Sequence, residues 1–264
     1  MRPISVHHVT ALDLSVELLI DVAAASGCDH LCLFTQQPGD LATLPVIGDS
    51  VLSGVRRRMD DAGLTALSVT SFPILPGLDA DSYKAGLARG TALGATIANA
   101  RVLDPDLSRA ADTFARFAEL CEIAGLAGCI EFTGYNRPAA LAEALALVRH
   151  AGRGAVTVDP LHIVRSGVPW HEVEALSAEQ IGYVQLCDGM AAGAEDDYLR
   201  EQISDRLPLG EGEFPLAELL AVVPAEMPVT LEIPCQRLRE QGYDAAACVA
   251  ELVTRARRYL ARLS

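Results

Sequence analysis

Short apolar runs alternate with amphipathic stretches along almost the whole sequence, and this alternation limits the folds that the chain can adopt. Each run has the length of a strand and mixes β-branched with other apolar residues, a pattern typical of β-strands. There are eight such runs, at 4–10, 29–35, 65–72, 97–103, 127–133, 154–159, 181–187 and 228–233.

The stretches between these runs carry apolar residues at helical spacing. In 14–26, for example, the apolar residues Val16, Leu19, Ile20 and Ala23 fall on one face of a helix. Several stretches end at a glycine just before the next strand, where glycine commonly closes a helix. The predicted helices are 14–26, 50–62, 82–93, 108–125, 137–150, 215–222 and 242–262.

Strand–helix units repeat at a spacing of roughly 25–35 residues, which predicts a single (β/α)8 TIM barrel over residues 1–264. A doubly wound sheet is the structural alternative, but the GxGxxG fingerprint is missing after the first strand. The connection 188–227 between the last two strands is unusually long. It contains Glu195, Asp196 and Asp197, and we expect it to shape a substrate pocket.

The charge composition excludes several functional classes. The 35 acidic and 21 basic residues give a net charge of −14, whereas a protein that reads a nucleic-acid backbone needs a basic face. Lys84 is the only lysine, which nearly excludes enzymes that depend on a Schiff base. The P-loop, HExxH and GxSxG motifs are also absent from the sequence.

The cysteines and the N-terminus bear on location. The seven cysteines form no CxxC motif and several lie inside apolar runs, so we expect reduced thiols and a cytoplasmic protein. The first residues lack the basic flank and apolar core of a signal peptide. No apolar stretch is long enough to cross a membrane, so we expect no membrane partner.

Polar residues stand at the predicted ends of four consecutive strands. Glu131, Asp159 and Glu232 end strands five, six and eight, and Gln185 lies in strand seven. Catalytic groups of a barrel collect at the carboxyl ends of its strands, so these side chains should converge. Three converging carboxylates repel one another, and a divalent cation removes the conflict. An oxygen-rich set with one amide favours Mn²⁺ or Mg²⁺, while Zn²⁺ and Co²⁺ remain open.

This arrangement resembles a known family. Glu131, Asp159 and Glu232 on their strands, His162 three residues after Asp159, and the segment Gly210–Gly212 before strand eight are similar to the xylose-isomerase-like sugar isomerase/epimerase superfamily. The resemblance covers the whole chain in layout and is specific in its second half. It implies that the three carboxylates hold a metal ion and that His162 contacts the substrate.

Gln185 departs from the family pattern, because the epimerases usually carry a histidine ligand at this position. An amide oxygen can still bind a hard cation. A glutamine here is similar to the bacterial 3-dehydroshikimate dehydratases of the superfamily. We therefore include Gln185 among the predicted metal ligands.

The resemblance implies proton transfer next to a metal-polarised carbonyl of a sugar, sugar phosphate or polyol. Glu131 and Glu232 are the expected catalytic residues, one removing the proton and the other returning it. The outcome is epimerisation or isomerisation, or dehydration of a cyclic keto-polyol such as inosose or 3-dehydroshikimate. A barrel that only binds a sugar-like ligand is a further alternative. The acidic charge and the six histidines disfavour an apurinic-site endonuclease.

Further residues are candidates for substrate contacts. Arg200 and Arg206 lie in the long connection, and arginine suits the oxygens of a substrate. His7 and His8 lie on strand one, and strand alternation sends only one of them inward. We include His8 in the predicted set.

Three features have plainer interpretations. Asp188 fits a turn residue, and Gly210–Gly212 forms either a plain turn or a cradle for phosphate. Cys187 and Cys235 are expected to pack rather than to react.

Barrels of this superfamily often pair through their helices, so the resemblance implies a homodimer.

Overall fold

Eight parallel strands close into a barrel, which confirms the fold predicted from the alternating pattern. The computed structural model describes residues 2–37, 44–134, 138–192 and 198–263. Each strand pairs with the next one along the chain, and the last pairs with the first. The strands are β1 (Ile4–His7), β2 (His30–Phe34), β3 (Thr65–Ile74), β4 (Ile97–Val102), β5 (Ala127–Glu131), β6 (Ala155–Val158), β7 (Ile181–Leu186) and β8 (Val229–Leu231).

All eight strands fall within or close to the predicted runs. The largest difference is at β1, which ends at His7 because His8–Ala11 turns into a 3-10 helix. The Val9 N–H donates to Nδ1 of His7 at 3.0 Å and caps this turn. β3 is longer than predicted and continues to Ile74.

The seven predicted helices are present, although the fifth begins at Leu141 and residue 137 lies outside the described residues. The structure adds four short helices of five to seven residues each that the sequence analysis does not predict: Pro160–Arg165, Trp170–Glu174, Tyr198–Ser204 and Gln236–Glu240. The helices are α1 (Val16–Ala25), α2 (Asp49–Asp61), α3 (Lys84–Ala92), α4 (Leu107–Ile123), α5 (Leu141–Ala151), α6 (Pro160–Arg165), α7 (Trp170–Glu174), α8 (Tyr198–Ser204), α9 (Leu216–Val222), α10 (Gln236–Glu240) and α11 (Ala245–Ala261).

The long connection between β7 and β8 contains α8 and α9. The acidic run Glu195, Asp196 and Asp197 lies outside the described residues. No helix in the described ranges combines the length and apolar character that crossing a membrane requires. All seven cysteines are buried free thiols, as the composition predicts.

Alternation along the strands separates two cores. Outward residues such as Ile130, Val156 and Val184 belong to the large core between strands and helices. A separate cluster fills the lumen near the amino ends of the strands: Leu67, Ile97, Cys129, Ala155 and Tyr183. Two residues further along β4, β6 and β7, the inward positions become polar, with Asn99, Thr157 and Gln185. The lumen therefore changes from apolar to polar towards the carboxyl ends of the strands.

Candidate active site

One acidic cluster lies at the carboxyl ends of the strands. Glu131 is the last residue of β5, Asp159 follows β6, and Glu232 follows β8; all three are buried. Gln185 in β7 is in register with Thr230, two residues before Glu232. Its Nε2 donates a hydrogen bond to Oε2 of Glu232. The barrel thus brings together the four residues that the sequence predicts as metal ligands.

Arg206 is the counter-ion of this cluster. Its guanidinium is fully buried, and Nη1 donates to Oδ2 of Asp159 at 2.7 Å while Nη2 donates to Oε1 of Glu232 at 3.0 Å. The backbone holds it in place, because the Arg206 N–H donates to the carbonyl of Pro234 and the next residue, Leu207, pairs with Asp188. Two of the three carboxylates are therefore engaged by one arginine.

Glu131 is held by a different set of side chains. Nδ2 of Asn99 donates to Oε2 of Glu131 at 3.0 Å, and Oγ1 of Thr157 donates to Oδ1 of Asn99 at 2.7 Å. On the other side, Nε2 of His162 lies 3.3 Å from Oε1 of Glu131. Both carboxylate oxygens thus face a nitrogen, and the side chain has little freedom to turn.

His162 is fully buried on α6, the short helix that Asp159 caps by accepting the N–H of Leu161. Its Nδ1 lies 2.6 Å from the hydroxyl of Tyr198 on α8. Nε2 is 3.8 Å from Oδ2 of Asp159, so the ring stands beside two carboxylates of the cluster.

The surroundings push the pKa values of two carboxyl groups in opposite directions. Burial raises the pKa of Glu232 above its ordinary value; the charges of Glu131 and Asp159 add to the rise and Arg206 opposes it. Burial also acts to raise the pKa of Glu131, but contact with His162 and the charge of Arg101 outweigh burial and lower the pKa below its ordinary value.

His7 faces the same cluster as a neutral imidazole. Burial lowers the pKa of His7 to about 3, against the opposing charge of Glu131. Because Nδ1 accepts the N–H of Val9, the ring hydrogen is on Nε2, which lies 4.0 Å from Oε2 of Glu232.

The donor atoms fit a divalent cation. One oxygen each from Glu131 and Asp159 and one nitrogen of His162 lie within 4.8 Å of one another. Among the described residues, the buried atoms Oε1 of Gln185 and Nε2 of His162 have no hydrogen-bond partner. Such an atom costs about 1–3 kcal/mol when it stays unsatisfied. Glu232 is not part of this close set, and its oxygens are engaged by Gln185 and Arg206.

A cavity of about 470 Å³ opens beside this cluster. Its polar wall carries both glutamates and the amide of the cluster, and its apolar wall comes from strand ends and from the connections. The polar lining residues are His7, Thr70, Ser71, Arg101, Glu131, Gln185, Gln202 and Glu232, and the apolar ones are Val9, Leu12, Phe34, Leu44, Pro73, Leu103 and Ile203.

The four residues predicted to contact substrate are not among those that line the cavity. Arg206 and His162 belong to the buried cluster and are not among the residues that line the cavity, and Arg200 is exposed on α8. His8 is fully buried, and its Nε2 lies 3.0 Å from the carbonyl oxygen of Leu14. His7 is the histidine of this pair that lines the cavity.

The segment Gly210–Gly212 is a turn organised by Asp188. Oδ2 of Asp188 accepts the N–H groups of Gly210 at 2.9 Å and Gly212 at 3.0 Å. Oδ1 accepts those of Gly189 at 2.9 Å and Phe214 at 3.1 Å. The Asp188 carboxylate therefore already accepts the N–H groups that a phosphate would need. Of the two interpretations of Gly210–Gly212, the structure supports the plain turn.

The two cysteines near the cluster are packed. Cys187 and Cys235 are both buried. Burial raises the pKa of the Cys187 thiol well above its ordinary value, which keeps it protonated and a poor nucleophile.

Asn99, Arg101 and Tyr198 are among the residues of the site that the sequence-based prediction omits. Asn99 and Arg101 interrupt the apolar strand β4, the same signal that identifies Glu131 in β5, and Arg101 is in register with Glu131. Tyr198 has no comparable signal, because it belongs to a helix of seven residues that follows no strand directly.

Comparison with known proteins agrees with this fold. Residues 20–252 match the family described as xylose isomerase-like TIM barrel. The solved structure of IolI with bound zinc is 15% identical, with a TM-score of 0.80 over 99% of this chain and 97% of that chain. D-psicose 3-epimerase, solved in the presence of D-fructose, is 16% identical, with a TM-score of 0.68 over 98% of this chain and 97% of that chain.

A fusion of a xylose isomerase-like TIM barrel with 4-hydroxyphenylpyruvate dioxygenase is 21% identical, with a TM-score of 0.71. The match covers 88% of this chain but only 38% of the fusion protein. No curated protein sequence matches the chain. At these identities the likeness to solved structures shows the fold alone, whereas the family match extends over most of the sequence. The chain therefore belongs to the xylose isomerase-like TIM-barrel family.

Proposed function

We propose that the chain is a divalent-metal-dependent isomerase or epimerase that moves a proton next to a carbonyl group of a sugar, sugar phosphate or polyol. The observation that carries the proposal is that Glu131 and Glu232, on two different strands, both line one cavity. Two carboxylates at one small cavity can remove a proton from a substrate carbon and return it at another position.

Four residues would hold the cation: Glu131, Asp159, Gln185 and Glu232. The ion would supply a Lewis acid that stabilises negative charge on a substrate oxygen. The oxygen-rich set favours Mn²⁺ or Mg²⁺, and zinc stays open because the IolI relative contains it.

The residues around the two glutamates orient them for proton transfer. Asn99 fixes Oε2 of Glu131, while Gln185 and Arg206 fix the two oxygens of Glu232. Carboxylates held in this way lose little entropy when they meet a substrate carbon. The apolar wall limits water beside them, which strengthens their electrostatic interactions with a bound substrate.

The size and lining of the cavity suit a small polar substrate. A volume of about 470 Å³ lies in the range of small-molecule sites. Ketohexoses are the first compounds to test, because the D-psicose 3-epimerase relative was solved with D-fructose. Arg101 in the lining suits an acidic group, which keeps sugar phosphates among the candidates.

Metal analysis combined with isotope exchange tests the proposal. Protein purified without chelator should contain about one divalent ion per chain, and Glu131→Gln and Glu232→Gln should each lower this content. The exposed Glu119→Gln on α4 is the control and should keep the native content. With ketohexoses in D₂O, the native protein should introduce deuterium beside the carbonyl. If the native protein contained no metal and exchanged no deuterium into any substrate, the proposal would fail in favour of a barrel that only binds a sugar-like ligand.

Gln185 favours a dehydratase as the second candidate function, because the epimerases of the family usually carry a histidine there. Incubation with an inosose and with 3-dehydroshikimate distinguishes the two. Loss of water from either compound, with no exchange into ketohexoses, would favour the dehydratase. Exchange into a ketohexose without loss of water would favour the epimerase.

A further inference from the structure

His7 presents one ring nitrogen to the cavity. It is the last residue of β1, and its side chain is mostly buried but belongs to the cavity lining. The ring stands edge-on to that of Phe34, with centroids 5.5 Å apart and planes at 79°. Its Nδ1 accepts the backbone N–H of Val9 at 3.0 Å. An aromatic contact and a backbone hydrogen bond therefore fix the orientation of the ring.

The backbone contact also assigns the ring hydrogen of His7. A peptide N–H can only donate, so Nδ1 supplies a lone pair and carries no hydrogen. The imidazole is therefore neutral, with its hydrogen on Nε2. This form follows from the turn after β1 and needs no ion at the site.

Within the described ranges, the Nε2–H of His7 has no acceptor. Oε2 of Glu232 is 4.0 Å away, which is longer than a hydrogen bond, and it accepts from Nε2 of Gln185 instead. An N–H group in a largely buried wall is costly unless water or a ligand accepts its hydrogen. His7 and Glu232 both line the cavity, so a neutral donor and a carboxyl group face the same space.

We propose that the Nε2–H of His7 donates a hydrogen bond to the substrate, at the carbonyl oxygen on which negative charge develops during proton transfer. The role rests on the proposed function. The gap of 4.0 Å suits a carbonyl oxygen against His7 with the neighbouring C–H against Glu232.

The donor would act at the moment when the proton leaves carbon. As a glutamate takes the proton, the C–H electron pair forms a carbon–carbon double bond and the carbonyl pair moves onto the oxygen. Return of the proton to carbon reverses this shift. An N–H group that is fixed before the reaction stabilises the charge on oxygen without reorganisation.

Two variants of His7 separate donation from the structure of the turn. His7→Gln keeps an N–H donor at the end of the side chain, and His7→Phe keeps a flat ring without nitrogen. Both lose the nitrogen that accepts from Val9, so they differ in donation to the cavity. His171→Phe, at an exposed position on α7, is the control.

Turnover is measured in D₂O with ketohexoses, an inosose and 3-dehydroshikimate, and the compound that the native protein converts fastest is used for the variants. We expect His7→Phe to lower kcat roughly 100-fold with little change in KM, because the lost bond acts in the transition state. His7→Gln should recover most of this loss. His171→Phe should keep the native kcat.

Nitrogen-15 NMR of the full-length protein with labelled histidines tests the donor without any substrate. His7→Gln identifies the signals of this ring among the six histidines. We expect a protonated Nε2 and an unprotonated Nδ1. An Nδ1–H form would overturn the proposal whatever the activity of the variants.

The remaining outcomes distinguish the role of His7 from the proposed function. Equal losses of kcat in His7→Gln and His7→Phe would confine His7 to the turn after β1 and overturn the proposal. Native kcat in His7→Phe would also overturn it and leave the proposed function standing. Absence of turnover of every compound by the native protein would overturn the proposed function and the role of His7 together.

Discussion

Replacing Asp188 with asparagine removes a negative charge at a point where four backbone amides converge. Oδ1 accepts the N–H groups of Gly189 and Phe214, and Oδ2 accepts those of Gly210 and Gly212. Asparagine keeps the shape of the side chain, but one of its two terminal groups is an NH₂ that cannot accept. Whichever way the amide turns, two of the four N–H groups face a donor.

The magnitude follows from these four contacts. A hydrogen bond to a charged group contributes about 1.5–3 kcal/mol, so two lost bonds alone cost about 3–6 kcal/mol. Two effects reduce this: Gly210 is exposed and can bind water, and asparagine avoids the cost of burying a charge. We expect a net loss of about 3 kcal/mol in the free energy of unfolding. For 264 residues this lowers Tm by about 5 °C.

Equilibrium unfolding in guanidinium chloride, followed by circular dichroism, measures the loss as a lower midpoint at an unchanged m value. The matched control is Asp61→Asn at the exposed end of α2, which should stay within about 0.5 kcal/mol of the native protein. A loss below about 1 kcal/mol in Asp188→Asn would refute the reasoning, because it would mean that the four contacts contribute little.

Three other substitutions test separate parts of the barrel. Arg206→Met leaves Asp159 and Glu232 buried without their partner. With EDTA present, this substitution should lower the free energy of unfolding by about 3–5 kcal/mol. A loss near zero would contradict the pairing. Gln185→His replaces an amide by imidazole and should strengthen Zn²⁺ binding relative to Mg²⁺ in calorimetric titrations, so an unchanged preference would argue against Gln185 as a ligand. Gly182→Ala places a Cβ against Sγ of Cys129 and should cost about 1–3 kcal/mol in denaturant unfolding. Adding Cys129→Ala should partly restore this loss, and no restoration would contradict the contact.

The barrel can be predicted from the sequence because the strand–helix pattern is repeated. Eight apolar runs and the helices between them all indicate the same fold, so an error at one strand end does not change the predicted fold. The positions of Glu131, Asp159, Gln185 and Glu232 follow from the same periodicity, since each is a polar residue near the end of an apolar strand. Convergence of these residues is a property of the closed barrel.

The remaining features depend on tertiary contacts that local pattern does not encode. Arg206 is a charged residue in a long connection, and backbone contacts with Pro234 and between Asp188 and Leu207 direct it into the buried cluster. Tyr198 reaches His162 across 36 positions in the chain. The sequence pattern does not predict α8, so the contribution of Tyr198 to the site appears only in the folded structure.

The buried pairing of Arg206 with Asp159 and Glu232 also bears on how the protein matures. Because the guanidinium neutralises two carboxylates, the barrel can close around its acidic cluster before any cation arrives. Small zinc domains differ, since they stay unfolded until the ion is bound. In this chain, metal loading would follow folding. The ion that enters a finished barrel would then be decided by the supply of each divalent ion in the cell and by its affinity for the site.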